Sequence, residues 1–126
     1  MKKSLHIFSI FLGICFLLSS CGSANEAEKT ADQFFRLLIN GKSAEANTLV
    51  ESGFNAQKQL EEVKHIGMNL KQGKLLSAKK SMGFNTKINN GVTTVTLPYS
   101  LKYSRDEVNL DVVLVNQGSG YKIKTI

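Results

Sequence analysis

Few side chains in this chain of 126 residues have the types and spacing for covalent chemistry. Cys15 and Cys21 are its only thiols, and His6 and His65 its only imidazoles. A thiolate is a nucleophile and a metal ligand, but both cysteines and His6 fall in or just after one apolar run. That run extends from Leu5 to Leu18, interrupted by His6, Ser9 and Gly13. It follows Lys2 and Lys3 and leads into Ser19-Ser20-Cys21, the three-part pattern of a secretory signal. It is shorter than the roughly 20 apolar residues that a helix needs to cross about 30 Å of hydrocarbon, so a processed signal is expected over a permanent span. A cut before Cys21 leaves Cys21 and His65 alone. One thiol and one imidazole are too few for a Cys/His metal-ligand cluster, and no nucleophile elbow or phosphate loop is present. No metal and no cofactor are expected.

Leu18-Ser19-Ser20-Cys21 resembles the lipobox of bacterial lipoproteins. The resemblance implies that the Cys21 thiol is alkylated by a diacylglycerol, that a dedicated peptidase cuts between Ser20 and Cys21, and that the new N-terminus carries three acyl chains. Cys15 is a poor alternative, because Ile14 puts a β-branched residue where processing needs a small one. A single acyl chain holds a protein only marginally, at about 0.8 kcal/mol per buried methylene, whereas two or three make the attachment essentially permanent. The expected location is the bacterial cell envelope, with membrane lipid as the first partner. Gly22 after the cysteine, rather than aspartate, favours the outer membrane in enteric-type sorting. With Cys15 removed, Cys21 has no intramolecular disulfide partner.

The organisation expected is a signal at residues 1–20, a lipidated tether at 21–24 and one domain at 25–126, a size able to bury a single core. Loss of Lys2 and Lys3 lowers the formal charge from +6 to +4. An excess this mild keeps a surface solvated and helps it approach anionic headgroups. Nucleic acid is not an expected partner, because no stripe of interleaved aromatic and basic residues exists.

Asn25 and Glu28 have the spacing of a capping box, and Ala27, Ala31, Phe34, Phe35 and Leu38 recur on one helical face up to Gly41. Ser43 is placed to cap a second helix through Leu49-Val50 to Gly53. A third is expected after Asn55, carrying Ala56, Leu60, Val63, Gly67 and Leu70 on one stripe until Gly73. From Leu75 the period becomes two. Leu76, Ala78, Met82 and Phe84 share one phase. Asn90-Gly91 suits a hairpin turn. Val95, Leu97, Tyr99, Leu101 and Tyr103 alternate with polar residues, and Pro98 places that strand at an edge or a bulge there. After a turn at Arg105-Asp106, Val108, Leu110, Val112 and Leu114 keep the phase. Gly118-Ser119-Gly120 then leads into a last strand at residues 121–126.

Helices first and an antiparallel meander of about four strands second predict an α+β domain, its helices packed on one face of a curved sheet. The segment Ala31-Asp32-Gln33-Phe34-Phe35-Arg36-Leu37-Leu38, then Asn40-Gly41-Lys42 with Ala44 and Ala46, and the closing Gly120-Tyr121-Lys122-Ile123 resemble small bacterial lipoproteins of nuclear-transport-factor-2-like (NTF2-like), or cystatin-like, fold. A cystatin-type inhibitor is not implied, since the Gln-x-Val-x-Gly loop is absent. Enzymes of this fold place a carboxylate or histidine in a cavity between helix and concave sheet.

Only residues in the apolar strand phase reach such a cavity. Asp111 falls on the opposite face, Asp106 and Glu107 at a turn, and His65 about 160° from the stripe of its helix, where it is solvated. The candidate pocket residues are therefore Tyr99, Tyr103 and Lys80, with Phe34 and Phe35 from the helix; a bulge at Gly83 would turn Lys80 outward. Lys79, Lys87, Lys102, Lys122 and Lys124 are expected on the opposite, basic face. With no acid or base in the pocket, the expected function is a non-enzymatic binding or interaction module with an envelope protein partner. A small-molecule carrier and an isomerase- or dehydratase-type enzyme are the alternatives.

Overall fold

The computed structural model describes residues 23–52 and 56–126. The expected signal at 1–20, with Ser20, Cys21 and also Gly53 and Asn55, lies outside the described residues. Three helices precede six strands: α1 (Ser23–Ile39), α2 (Ser43–Asn47), α3 (Ala56–Gly67), β1 (Met68–Asn69), β2 (Gly73–Lys80), β3 (Asn85–Asn89), β4 (Val92–Tyr103), β5 (Glu107–Asn116) and β6 (Tyr121–Thr125).

Helix α1 forms because its apolar residues recur every three to four positions, and Ala27, Ala31, Phe34, Phe35 and Leu38 are all buried. It already includes Ser23 and Ala24, so half of the expected tether is helical, and Asn25 lies inside the first turn instead of capping it. Gly41 ends it at a φ of 76°. There Lys42 N–H donates to the Leu37 carbonyl at 2.8 Å and Gly41 N–H to Leu38 at 3.1 Å, the paired bonds of a Schellman stop.

Helix α2 is shorter than expected. Lys42 occupies its N-cap without a side-chain bond, Ser43 is its first residue, and it ends at Asn47. The chain then runs alongside β6, with Glu51 N–H donating to the Ile123 carbonyl at 2.7 Å and Ile123 N–H to Leu49 at 2.8 Å. This one parallel bridge, Val50 to Ile123, covers what would be an open sheet edge. Helix α3 stops at Gly67 rather than Gly73. The Asn69 side-chain oxygen accepts from Lys71 and Gln72 N–H groups at 3.0 and 3.4 Å. That local turn throws Leu70 into solvent, 84 % exposed, and lets Met68 and Asn69 pair with β2.

The strands run antiparallel in the order β1-β2-β4-β5-β6, with β3 also on β4. Strand β4 is the spine: β5 pairs along one side, while β2 and β3 follow each other along the other. β2 ends at Lys80 opposite Tyr99, and β3 starts at Asn85 opposite Thr96. Pro98, which has no N–H to donate, sits at this gap, where its carbonyl accepts from Ser81 N–H at 2.8 Å. It is thus tolerated inside a central strand, at a local break in its neighbour. Asn90 and Gly91 have φ of 52° and 77°, as a tight hairpin turn requires.

Of the phase expected from Leu76 to Phe84, Ala78 and Lys80 keep the core-facing side, opposite Leu101 and Tyr99, while Leu76, Met82 and Phe84 do not. The β2–β4 register slips between Leu75 and Ser77, and this bulge, not one at Gly83, resets the alternation. Leu75 is fully buried, while Leu76, Met82 and Phe84 are 51 %, 97 % and 61 % exposed. Val95, Leu97, Tyr99, Leu101 and Tyr103 do alternate inward along β4. With Val112, Leu114 and Ile123 they meet Phe34, Phe35, Leu38 and Val63 in a single core.

Candidate functional site

The space between α1 and the sheet is where the sequence places a pocket, and aromatic side chains occupy it. Phe34 and Phe35 are buried and meet edge to face at 5.3 Å between ring centroids. Tyr99, brought to the same level by the inward phase of β4, lies 5.0 Å from Phe35. Such contacts add about 0.5–1.5 kcal/mol to the burial of the rings. Tyr99 and Tyr103 are therefore core residues, each with one polar end to satisfy. The Tyr103 hydroxyl donates to the Ile66 carbonyl at 2.8 Å, tying β4 to the last turn of α3. Burial raises its pKa above the ordinary phenol value.

The Tyr99 hydroxyl donates to Asp32 Oδ1 at 2.6 Å, across 67 positions of sequence. Burial, then the hydrogen bond to Asp32, then the negative charges of Asp32 and Glu28 all push the Tyr99 pKa far upward. The phenol keeps its proton at neutral pH, so it serves as a donor and not as a base. Asp32 is a residue that sequence reasoning missed. A signal was there: at about 100° per residue it lies some 60° from Phe35, on the border of the buried stripe, where a carboxylate can reach a strand tyrosine.

Beyond this pair, a groove of about 480 Å³ runs between α1 and β2. Glu28, Asp32 and Arg36 line it from the helix, one turn apart each, and Lys79 and Lys80 from the strand, over Phe35 and Ile39. Lys80 stands opposite Tyr99 in the register and thus on the core-facing side of the sheet, half-buried at the rim. Its ammonium donates to the Ser81 carbonyl at 3.1 Å. The structure thus brings Phe35, Tyr99 and Lys80 to one edge of α1, with Tyr103 farther along near α3. A second groove of about 470 Å³ lies between α3 and β6. Val50, Val63, Ile66, Ile123 and Ile126 give it an apolar floor, and Lys124 and the exposed His65 stand on its rim.

On the outer face, Lys79, Lys87 and Lys102 project with the polar phase of β4, and Lys122 joins them through Val115. Lys124 does not. The β5–β6 register slips between Val113 and Leu114, which sends Lys124 to the α3 groove. Glu107 and Asp111 stand opposite Lys102 and Pro98, so this face is mixed in sign. Lys122 is held by the Thr48 carbonyl at 2.8 Å, and Ser100 donates to Glu107 at 2.5 Å. Among the described residues no three His, Cys, Asp or Glu side chains are gathered as metal ligands. No helix among them is long and apolar enough to cross a membrane.

No protein-family model matches the chain, and no curated protein matches it in sequence. The fold does find a counterpart. It superposes on the crystal structure of a Campylobacter jejuni protein whose name proposes an NTF2-like transpeptidase, with a TM-score of 0.51 over 79 % of this chain and 97 % of that one. The fold is NTF2-like. At 10 % identity the similarity speaks for backbone architecture alone, and NTF2-like folds serve enzymes and binding proteins alike.

Proposed function

We propose that the chain is an acyl-anchored lipoprotein of the bacterial cell envelope, its NTF2-like domain a non-enzymatic binding or interaction module. The observation that carries the anchor is the sequence Leu18-Ser19-Ser20-Cys21 standing only two residues ahead of a folded helix that starts at Ser23. Two peptide units place the Cys21 Cα within about 8 Å of Ser23, so lipid on Cys21 holds the domain against the bilayer. The binding role is supported by the aromatic fill under α1. Phe34, Phe35 and Tyr99 take up the volume that a carrier or an isomerase-type enzyme of this fold would need for its ligand. Partners are left to the grooves and faces outside the core, with a second envelope protein as the expected one.

Cys21→Ala is expected to abolish incorporation of labelled palmitate and move the protein from the membrane to the soluble envelope fraction. Unchanged membrane association with no change in labelling would overturn the anchor. For the module, crosslinking and pull-down of the intact lipoprotein from its native envelope is expected to recover a protein partner. Turnover of a small substrate that Asp32→Asn abolishes would instead assign an enzyme.

A further inference from the structure

The ten carboxylates are unevenly spread along the chain: between Glu62 and Asp106 there is none, while Lys64, Lys71, Lys74, Lys79, Lys80, Lys87, Lys102 and Arg105 all fall there. Inside this cationic stretch lies the crossing from β2 to β3, Ser81 to Phe84. Met82 is 97 % exposed and Phe84 61 %, and Ile88 on β3 follows at 76 %. Met82 and Phe84 are thus two large apolar side chains held in water within three residues of one another, and exposed apolar surface of this kind marks contact sites. Lys79 and Lys87 flank them, and neither has an ion-pair partner among the described residues.

Position identifies the occupant. Leu38, near the end of α1, lies beside Lys74 at the start of β2, while Asp32 lies beside Tyr99, which pairs with Lys80 at the end of β2. Helix and strand therefore run in opposite directions. The first turn of α1, and the acyl chains that Cys21 would carry two residues earlier, lie at the same end of the domain as Met82 and Phe84. Glu26 and Glu28 are at this end as well. Glu28 and Asp32 line the same groove as Lys80, so Lys29, Lys79, Lys80 and Lys87 at this end stand against Glu26, Glu28 and Asp32, with the cations in excess.

We propose that Met82 and Phe84, flanked by Lys79, Lys80 and Lys87, form a second membrane contact that rests on an anionic bilayer beside the acyl anchor. The proposal rests on the anchored reading above. Apolar side chains with lysines around them suit the boundary between headgroups and acyl chains: the former enter the hydrocarbon edge and the latter stay with the phosphates. A lipid anchor alone permits the domain to swing. Anchor and contact together fix which faces look outward, leaving the turn at Lys71, at the opposite end of β2, directed away from the membrane.

The test uses the full-length acylated protein in vesicles of phosphatidylcholine and phosphatidylglycerol. An environment-sensitive fluorophore is attached at Met82→Cys and, in a separate sample, at Lys71→Cys. Expected is a blue shift at position 82, with loss of emission when the lipids carry brominated acyl chains, and neither change at position 71. Replacing phosphatidylglycerol by phosphatidylcholine should weaken the effect at 82. Membrane-bound protein with the two positions behaving alike would overturn the second contact and leave the anchor standing. Protein that is neither acylated nor vesicle-bound would overturn the anchored reading, and the contact with it. A label at 82 that is shielded in native envelopes yet open in protein-free vesicles would give the patch to a protein and overturn the lipid assignment.

Discussion

β2 and β3 pair with the same side of β4, within one sheet, yet they share almost nothing else. β2 lies under α1: Leu75 is fully buried, and Ala78 and Lys80 face the helix across Tyr99 and Leu101. β3 lies past the helix, and all five of its residues are exposed although Thr86 stands directly opposite the buried Val95. The difference teaches that alternation decides which face a residue takes, while burial depends on whether another layer covers that face. The covered half carries the stability of the domain. The uncovered half is free to carry contacts with something else.

The sharpest way to break this comparison is to empty the covered side. Phe35→Ala removes a fully buried ring that touches both Phe34 and Tyr99. It should cost about 3–5 kcal/mol, a large share of the roughly 5–15 kcal/mol that holds a domain of this size. Urea unfolding followed by circular dichroism would measure it, and a loss below about 1 kcal/mol would show that the core under α1 is not the stabilising half.

A smaller effect is expected from Tyr99→Phe, which keeps the ring and deletes the bond to Asp32, at about 1 kcal/mol near neutral pH. Its pH dependence separates the two strands' roles further. The folded-state pKa of Tyr99 is raised, so the unfolded chain gives up the phenolic proton first. The stabilisation is complete below the ordinary phenol value of about 10 and is lost as pH rises beyond it. Wild-type stability should therefore fall as pH climbs above that value, and less steeply in Tyr99→Phe. Parallel slopes would mean that the phenol titrates normally.

The smallest effect should come from the uncovered side. Met82→Ser with Phe84→Ser is expected to change stability by no more than about 0.5 kcal/mol, since neither side chain has a core to leave. A loss comparable to that of Phe35→Ala would show that the crossing is packed in solution, and the contrast between the strands would fail.

These two halves were also unequally legible. The stripe on α1 and the long alternation through β4 and β5 read cleanly, because one layer covers each and nothing interrupts the period. The start of β2 did not, because the bulge at Leu76 turns Leu75 into the core in its place and no residue there announces it. Leu70 looked like a continuation of α3, and it is the Asn69 side chain, through local bonds, that stops the helix earlier. Of the candidate site, the tyrosines were visible as strand residues facing inward. Their partners were not: Asp32 and the Ile66 carbonyl are joined to them only by tertiary folding, and a helix-border carboxylate has no spacing that names a strand 67 positions away.

The bridge from Val50 to Ile123 has a consequence for how the domain comes into being. It joins the first half of the chain to the fourth residue from its end, a contact of long sequence separation that forms late, since its loop must close first. A chain that emerges N-terminus first has α1, α2 and most of the sheet available while the edge of β5 and the Leu49–Glu51 segment still lack the strand that lies between them. Until Tyr121 to Thr125 arrive, both present unpaired backbone to any neighbour, which is the state most open to aggregation. Strand β6 acts as the latch between the sheet and the Leu49–Glu51 segment.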